Sequence, residues 1–393
     1  MPETYTCRSC SATKMSVFYE VQNVPVHSVL LMRSREAAVN YPKGDIVLAF
    51  CPTCGFISNA AFDPVVHEYS SDYEETQGFS PTFNSFHRRL ATDLINRYDL
   101  HKKNIIEIGC GKGEFLALLC NLGDNRGLGF DPAYVSERNP STADNRITFI
   151  QDFYSEEYAH HRGNFICCKM TLEHIQDTAD FVSMVRRSIG DRLNTTVFFQ
   201  VPEIMRILGE TAFWDIYYEH CSYFSRGSLA RLFRKCGFDV HDLWTDYDDQ
   251  YLMIEARPGD GSGPTLLEQE KDLEVLKQNV EHFSGSVANK INQWRDYVEA
   301  SKKDGKRIVL WGGGSKGVAF LTTLGIRDEI EFVVDINPYK HHTYMAGTGH
   351  EIVPLEFLQE YRPDVVIVMN PIYCEEIQQS LNKMGVAAEV MPV

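Results

Sequence analysis

Apolar and polar positions change period several times along the chain, and each change marks an element. Residues 104–108, Asn-Ile-Ile-Glu-Ile, are a short apolar run passing straight into glycine, the pattern of a buried parallel strand and the turn after it. Similar runs at 127–131, 147–150 and 165–168 predict a second, third and fourth strand. Helical spacing covers 86–98 ahead of the first strand and 229–236 well after the fourth. Such alternation predicts an α/β unit over 67–257, preceded by a small module at 1–66 whose residues 24–32 and 45–50 read as strands. The run Arg-Pro-Gly-Asp-Gly-Ser-Gly-Pro at 257–264 breaks the pattern and opens a linker, 258–304, in which 266–303 repeats with helical period and many charges. One or two amphipathic helices packed between domains fit that stretch. Strand-like runs at 307–311, 332–335 and 364–370 then predict a second α/β unit over 305–393.

Composition narrows the class. The 393 residues suit two or three domains, and 44% apolar content with 23 Phe and 19 Tyr can fill sizeable cores. With 38 basic against 54 acidic residues, the net charge of −16 repels a polyanion, so no nucleic-acid partner is expected. No leader-like start or run of about 18 apolar residues occurs, so neither secretion nor membrane spanning is signalled, and the cytoplasm is the expected compartment. Oligomeric state is not legible beyond a monomer or weak oligomer. Seven of the eleven cysteines are scattered like buried free thiols.

The other four form two matching knuckles, Cys7-Arg-Ser-Cys10 and Cys51-Pro-Thr-Cys54, which can offer four thiolates to one tetrahedral ion. With every position filled by sulfur, such a site is a structural Zn2+ site; unrelated thiol pairs, a redox pair or iron are the other readings of the spacing. In the first α/β unit, Gly109-Cys-Gly111-Lys-Gly113 lies between strand and helix, where backbone approaches a ligand closely and helix amides face it. Glu107 stands at the strand end, and Asp131 ends the second strand, placed for ribose hydroxyls. Asp152 follows the third strand, near a bound adenine, and Glu173-His174 lies beyond the fourth, at the carboxyl edge where open α/β sheets bind ligands. Residues 215–225 concentrate Tyr217, Glu219, His220 and further aromatic groups, a density costly to bury without a purpose. A histidine among tyrosines can remove a proton near neutral pH, and a phenol can stabilise oxygen charge; a tyrosine-rich packing segment is the plainer alternative.

The pattern E-x-G-C-G-x-G with Asp131 and L-E-H resembles class I methyltransferases, which implies S-adenosylmethionine held by Glu107, Gly109, Gly111, Gly113, Asp131, Asp152 and Glu173. Adding the zinc knuckles, Tyr73-Glu74-Glu75-Thr76-Gln77 and Tyr217-x-Glu219-His220, the chain is similar to nucleotide-sugar C-methyltransferases over nearly its whole length. That resemblance implies a class I (Rossmann-like) core flanked by the zinc module and a C-terminal Rossmann-like domain. It further implies 3-C-methylation of a nucleotide-linked 4-keto-deoxysugar through an enolate, in deoxysugar or natural-product biosynthesis. His220 would be the base, Tyr217 would assist or hold the enolate oxygen, and Glu219 would orient its neighbours, with Tyr73 and His174 lining the same cavity. One departure stands out: Lys169-Met170-Thr171 precedes Leu172-Glu173-His174, where many relatives carry an Arg-His pair.

In the C-terminal unit, Gly312, Gly314 and Gly317 satisfy G-x-G-x-x-G and Asp335 ends the next strand, a dinucleotide pattern. Some 90 residues supply only one mononucleotide half, however. The resemblance assigns no redox role here, so Ser315, Lys316 and Asn370 become candidates for contacting the sugar or its diphosphate. An NAD-dependent reductase, a zinc-finger binding module, and methyl transfer to oxygen or to a non-sugar carbon acid remain open.

Overall fold

The computed structural model describes residues 5–66, 72–138, 145–259 and 266–393. Its N-terminal strands Ser16–Pro25, Lys43–Phe50 and Ile57–Asn59 form an antiparallel sheet, completed by Ser222–Tyr223 from the titratable segment far along the chain. Of the expected strand at 24–32, only Val24 and Pro25 are strand, as the end of Ser16–Pro25. The apolar positions beyond them are buried because residues 26–32 are threaded between domains, where among the described residues they form only the isolated bridges Leu30 to Tyr73 and Met32 to Tyr344.

The central sheet has seven strands in the order Phe238–Asp246, Tyr251–Pro258, Thr196–Pro202, Phe165–Lys169, Asn104–Ile108, Arg126–Phe130 and Ile147–Ile150. All are parallel except Tyr251–Pro258. Strand order reverses between Asn104–Ile108 and Phe165–Lys169, the switch point where loops diverge and ligands bind. The helix before it, Pro81–Tyr98, begins five residues earlier than its apolar spacing, because Ser80 caps Phe83 N and Pro81 occupies the first turn. Helix Arg226–Lys235 likewise gains a turn from the Ser225–Ser228 capping box.

A single helix of 31 residues, Leu273–Lys303, spans the linker and runs about 46 Å. Phe283 from its buried stripe lies edge-on between Phe18 and Tyr19 of the N-terminal sheet. One continuous apolar cluster then joins Tyr19, Trp214, Phe283, Phe320 and Val365, so the N-terminal and C-terminal sheets share a core. The breaker run continues from Gly259 into 260–265, which lie outside the described residues.

The C-terminal sheet is wholly parallel, ordered Glu351–Val353, Phe332–Val334, Ile308–Trp311, Val365–Val368 and Glu389–Pro392. Its glycine turn feeds helix Ser315–Leu324. Gly317 is forced by close approach: a Cβ there would lie 2.5 Å from the carbonyl oxygen of Gly312. We predict that Gly317→Ala lowers stability by about 1–3 kcal/mol, the usual cost of overpacking. Urea unfolding at an unchanged m-value is the check; an unmoved midpoint contradicts the packing.

Candidate active site

The carboxyl ends of both parallel sheets line one cavity of about 780 Å³, within the usual range of about 300–1,000 Å³ for small-molecule sites. Ile108, Phe130 and Lys169 end strands on one side, and Trp311 and Val368 on the other. Tyr73 and Val29 close a third edge.

On the central sheet the glycine loop is dictated by its backbone. Gly109, Gly111 and Gly113 have φ of +67°, +53° and +79°, a region that side chains rarely enter. A Cβ on Gly109 would also meet Thr171 Oγ1, and one on Gly111 would lie 2.7 Å from Glu75 Oε1, so the loop is bare where the cavity needs width. Asp131 accepts from Gly111 N at 2.9 Å and Ala133 N at 2.8 Å, fixing the loop while leaving lone pairs towards the cavity. Burial raises Glu107 to about 7 and Glu173 to about 8. Asp152 lies at the exposed rim, accepting from Phe153 N at 2.8 Å and Tyr158 Oη at 2.6 Å.

On the opposite wall Tyr217, His220 and His174 come together. Ring centroids are 4.1 Å apart for Tyr217 and His220, and 4.9 Å, edge-on, for His174 and His220. Burial and the Lys316 charge push His220 down to about 3, burial and His220 push His174 well down, and burial raises Tyr217 well above an ordinary phenol. At neutral pH the imidazoles are uncharged and the phenol keeps its proton. Among the described residues His220 Nδ1 has no hydrogen-bond partner, and in the tautomer protonated at Nε2 it can accept.

Glu219 sits differently from its neighbours. Its carboxylate accepts from Ser28 N at 3.1 Å and from Ser28 Oγ, with His27 Nδ1 3.3 Å away, and so ties the segment to the threaded N-terminal stretch. Ser28 Oγ continues to Ser315 Oγ at 2.7 Å. Lys316, which lines the cavity, is held by Asp215 at 2.8 Å and Gln250 Oε1 at 3.1 Å, and Asn370 pairs its amide with that of Gln250. Sequence reasoning missed His27, Ser28, Arg206, Gln250 and His87; the partners of all but Arg206 lie far along the chain, and no short motif marks them.

The four knuckle sulfurs converge at a place none of whose cysteines lines the cavity. Cys7 and Cys54 Sγ are 3.6 Å apart, as are Cys10 and Cys51, and all four lie within 4.8 Å of one another. Tetrahedral thiolates about 2.3 Å from zinc stand about 3.8 Å apart, whereas a disulfide needs about 2.05 Å, so the set fits an ion rather than two bridges.

Comparison with known proteins fits this geometry. Residues 83–243 match a methyltransferase domain, and residues 257–389 match the C-methyltransferase C-terminal domain. The chain is an S-adenosylmethionine-dependent methyltransferase. Its C-terminal unit is that of the C-methyltransferases, and C-methylation is its reaction class. The methyltransferase is 26% identical over 309 residues to C-methyltransferase NovU of Streptomyces niveus, across 74% of this chain and 72% of that protein. Among solved structures it is similar to N,N-8-amino-8-demethyl-D-riboflavin dimethyltransferase (RosA) of Streptomyces davawensis, at 19% identity and TM-score 0.37, over 44% of this chain and 55% of RosA. Magnesium protoporphyrin IX methyltransferase of Synechocystis PCC 6803 matches at 12% identity and TM-score 0.36, over 45% of this chain and 84% of its own. Among the described residues no helix is long and apolar enough to cross a membrane.

One buried histidine makes the electrostatics measurable without substrate. Burial, then the Lys169 charge, lowers His87 to about 2, so the folded state keeps it neutral while the unfolded chain protonates it below about 6.5. Its contribution is therefore complete above pH 6.5 and lost as pH falls, by about 2 kcal/mol between pH 7 and pH 5. We predict that His87→Gln reduces the stability lost over that interval by this amount; equal losses in variant and parent, by urea unfolding, contradict a neutral buried ring.

Proposed function

We propose that the methyltransferase methylates the 3-carbon of a nucleotide-linked 4-keto-deoxysugar in deoxysugar or natural-product biosynthesis. The observation that carries this is His220 packed on Tyr217, ring centroids 4.1 Å apart, in a cavity walled by both carboxyl-end faces. The Gly109 to Gly113 loop and Asp131 would hold S-adenosylmethionine, which would supply an electrophilic methyl group to the enolate carbon and leave as S-adenosylhomocysteine. His220 takes the proton from the carbon beside the ketone through Nδ1. Tyr217 donates a hydrogen bond to the enolate oxygen as its charge develops, and Lys316 adds a fixed positive charge nearby. Tyr73 and His174 shape the acceptor's space, Asp152 and Glu173 border the donor, and Glu219 positions the catalytic segment by gripping His27 and Ser28. Ser315, Lys316 and Asn370, on the C-terminal wall, suit the sugar or its diphosphate.

Two variants and one substrate panel test this. His220→Ala and Tyr217→Phe should each lower turnover, the first by about 100-fold or more, while the affinity for S-adenosylmethionine stays unchanged. Undiminished turnover in both removes the assigned base. With wild-type protein, mass spectrometry in deuterated water should show one added methyl group and deuterium exchange beside the ketone of a nucleotide-linked 4-keto-deoxysugar. Absence of both, from protein that binds the donor, discards the keto-sugar.

The four thiols are proposed to hold one structural Zn2+, buttressing the short sheet that receives Ser222–Tyr223. Cys51→Ser should lose zinc, read by metal analysis, together with thermal stability. A metal-free variant as stable and active as the parent contradicts a structural role.

A further inference from the structure

Glu173, His174 and His220 bring three metal-type ligands to one point of the cavity wall. Glu173 and His174 stand on the turn Leu172–His174, beyond strand Phe165–Lys169, and His220 precedes the strand Ser222–Tyr223. Cys221 Sγ donates to the Glu173 carbonyl at 3.6 Å and Ser222 Oγ to the Ile175 carbonyl at 2.8 Å, so the two segments are pinned side by side. One ligand atom from each of the three side chains lies within 4.8 Å of the others, and all three residues line the cavity. Among the described residues only the four knuckle cysteines form a comparable set.

The cluster is rich in acceptors and poor in donors. Glu173 is 1% exposed, yet neither of its carboxylate oxygens has a hydrogen-bond partner among the described residues. His220 is 4% exposed, and its Nδ1 is likewise unmatched there. A buried polar atom demands a partner, and a buried carboxylate beside imidazoles lacks a counter-charge. Lys316 does not supply one, because Asp215 engages its ammonium at 2.8 Å and Gln250 Oε1 at 3.1 Å. The backbone of Glu219 hydrogen-bonds the His174 ring, as the outer partner of a metal-ligating histidine does. Two imidazoles and a carboxylate around an ion at about 2.0–2.2 Å stand about 3.3 Å apart, so closing on it takes about 1.5 Å of side-chain movement at most.

We propose that Glu173, His174 and His220 form a second metal site, an open one, which takes a divalent cation of the zinc class reversibly and thereby shuts off His220 as a base. Nitrogen and carboxylate ligands together suit Zn2+, Co2+ or Fe2+. Three protein ligands leave a coordination position for water or an acceptor oxygen, whereas four sulfurs leave none. A neutral imidazole has one N–H and one lone pair. The ion takes the lone pair whichever nitrogen binds, and the N–H that remains cannot accept a proton. Ion and substrate proton therefore compete for the same electrons. That consequence rests on the reading of His220 as the base; the site itself does not.

Cobalt(II) titrated into the purified protein tests the site, because its visible bands report the ligands. One equivalent should bind with the spectrum of nitrogen and oxygen ligation, without the thiolate charge-transfer band that exchange into the knuckles produces. Glu173→Gln and His174→Ala should each weaken that binding by about 100-fold or more, since losing only an outer partner of a metal ligand costs about 10–100-fold. Circular dichroism and knuckle metal content equal to the parent's establish that both variants are folded. No cobalt outside the knuckles, or parental affinity in both variants, overturns the site. In the methylation assay, saturating cobalt should lower turnover to that of His220→Ala, about 100-fold below the parent, and brief chelation should restore it. Undiminished turnover with cobalt bound overturns the block. A His220→Ala variant that loses cobalt but keeps full turnover supports the metal site and removes the base reading instead.

Discussion

Asp215 is buried between two cations that approach from different parts of the molecule. Arg206, on helix Ile204–Gly209, reaches it at 2.6 Å, and Lys316, at the start of helix Ser315–Leu324, at 2.8 Å. Burial alone would raise the carboxyl; Lys316 and Arg206 overcome it and hold it below the ordinary range. A pair that close, out of water, is costly to break one partner at a time, about 3–5 kcal/mol, because the survivor is left uncompensated. Asp215 therefore ties the C-terminal glycine turn to the catalytic segment, across the cavity that both line. Burial, and after it the charge of this same lysine, disfavours protonation of His220, so the ion pair bears on both the enclosure and the proposed base.

What could be read from the chain follows how locally each feature is specified. Gly109, Gly111 and Gly113 were legible because a left-handed backbone needs glycine whatever surrounds it. The knuckles were legible because two thiols three apart already define half a site. His220 and Tyr217 betrayed themselves by crowding within one segment. By contrast, His27 and Ser28 meet Glu219 from 192 and 191 positions away, inside a stretch whose apolar pattern read as strand. That stretch is buried by three domains at once, and burial without a pairing partner carries no period to distinguish it from a strand. The strand Ser222–Tyr223 was hidden for a related reason: two residues have no periodicity, and only the waiting edge of Ile57–Asn59 makes them a strand.

Glu219 shows how a motif can be correct as a unit while its members work at different removes from chemistry. His220 and Tyr217 face the cavity; the glutamate between them faces the protein. Its grip on Ser28, and through Ser28 on Ser315, joins the N-terminal stretch, the catalytic segment and the C-terminal turn in one chain of hydrogen bonds. With the shared apolar cluster around Phe283, this makes the small N-terminal sheet part of the active-site wall rather than an appendage.

The two glycine turns end in acids wired alike, and the difference between them decides which is free to bind. Asp131 accepts from Gly111 N and Ala133 N; Asp335 accepts from Gly313 N and Asn337 N, each at 2.8 Å. In both, the acid after the second strand first serves to clasp its own turn, so the spacing that reads as a nucleotide motif is also a folding requirement. Asp335 then meets Lys340 Nζ at 3.7 Å, which neutralises the charge a ribose-binding acid would offer. Among the described residues Asp131 forms no ion pair within 4 Å, and it lies beside the Gly109 to Gly113 loop, so it retains the capacity that Asp335 has spent within the fold. A G-x-G-x-x-G sequence in this second sheet is thus accounted for by the 2.5 Å approach at Gly317 and the clasp at Gly313, without a nicotinamide cofactor.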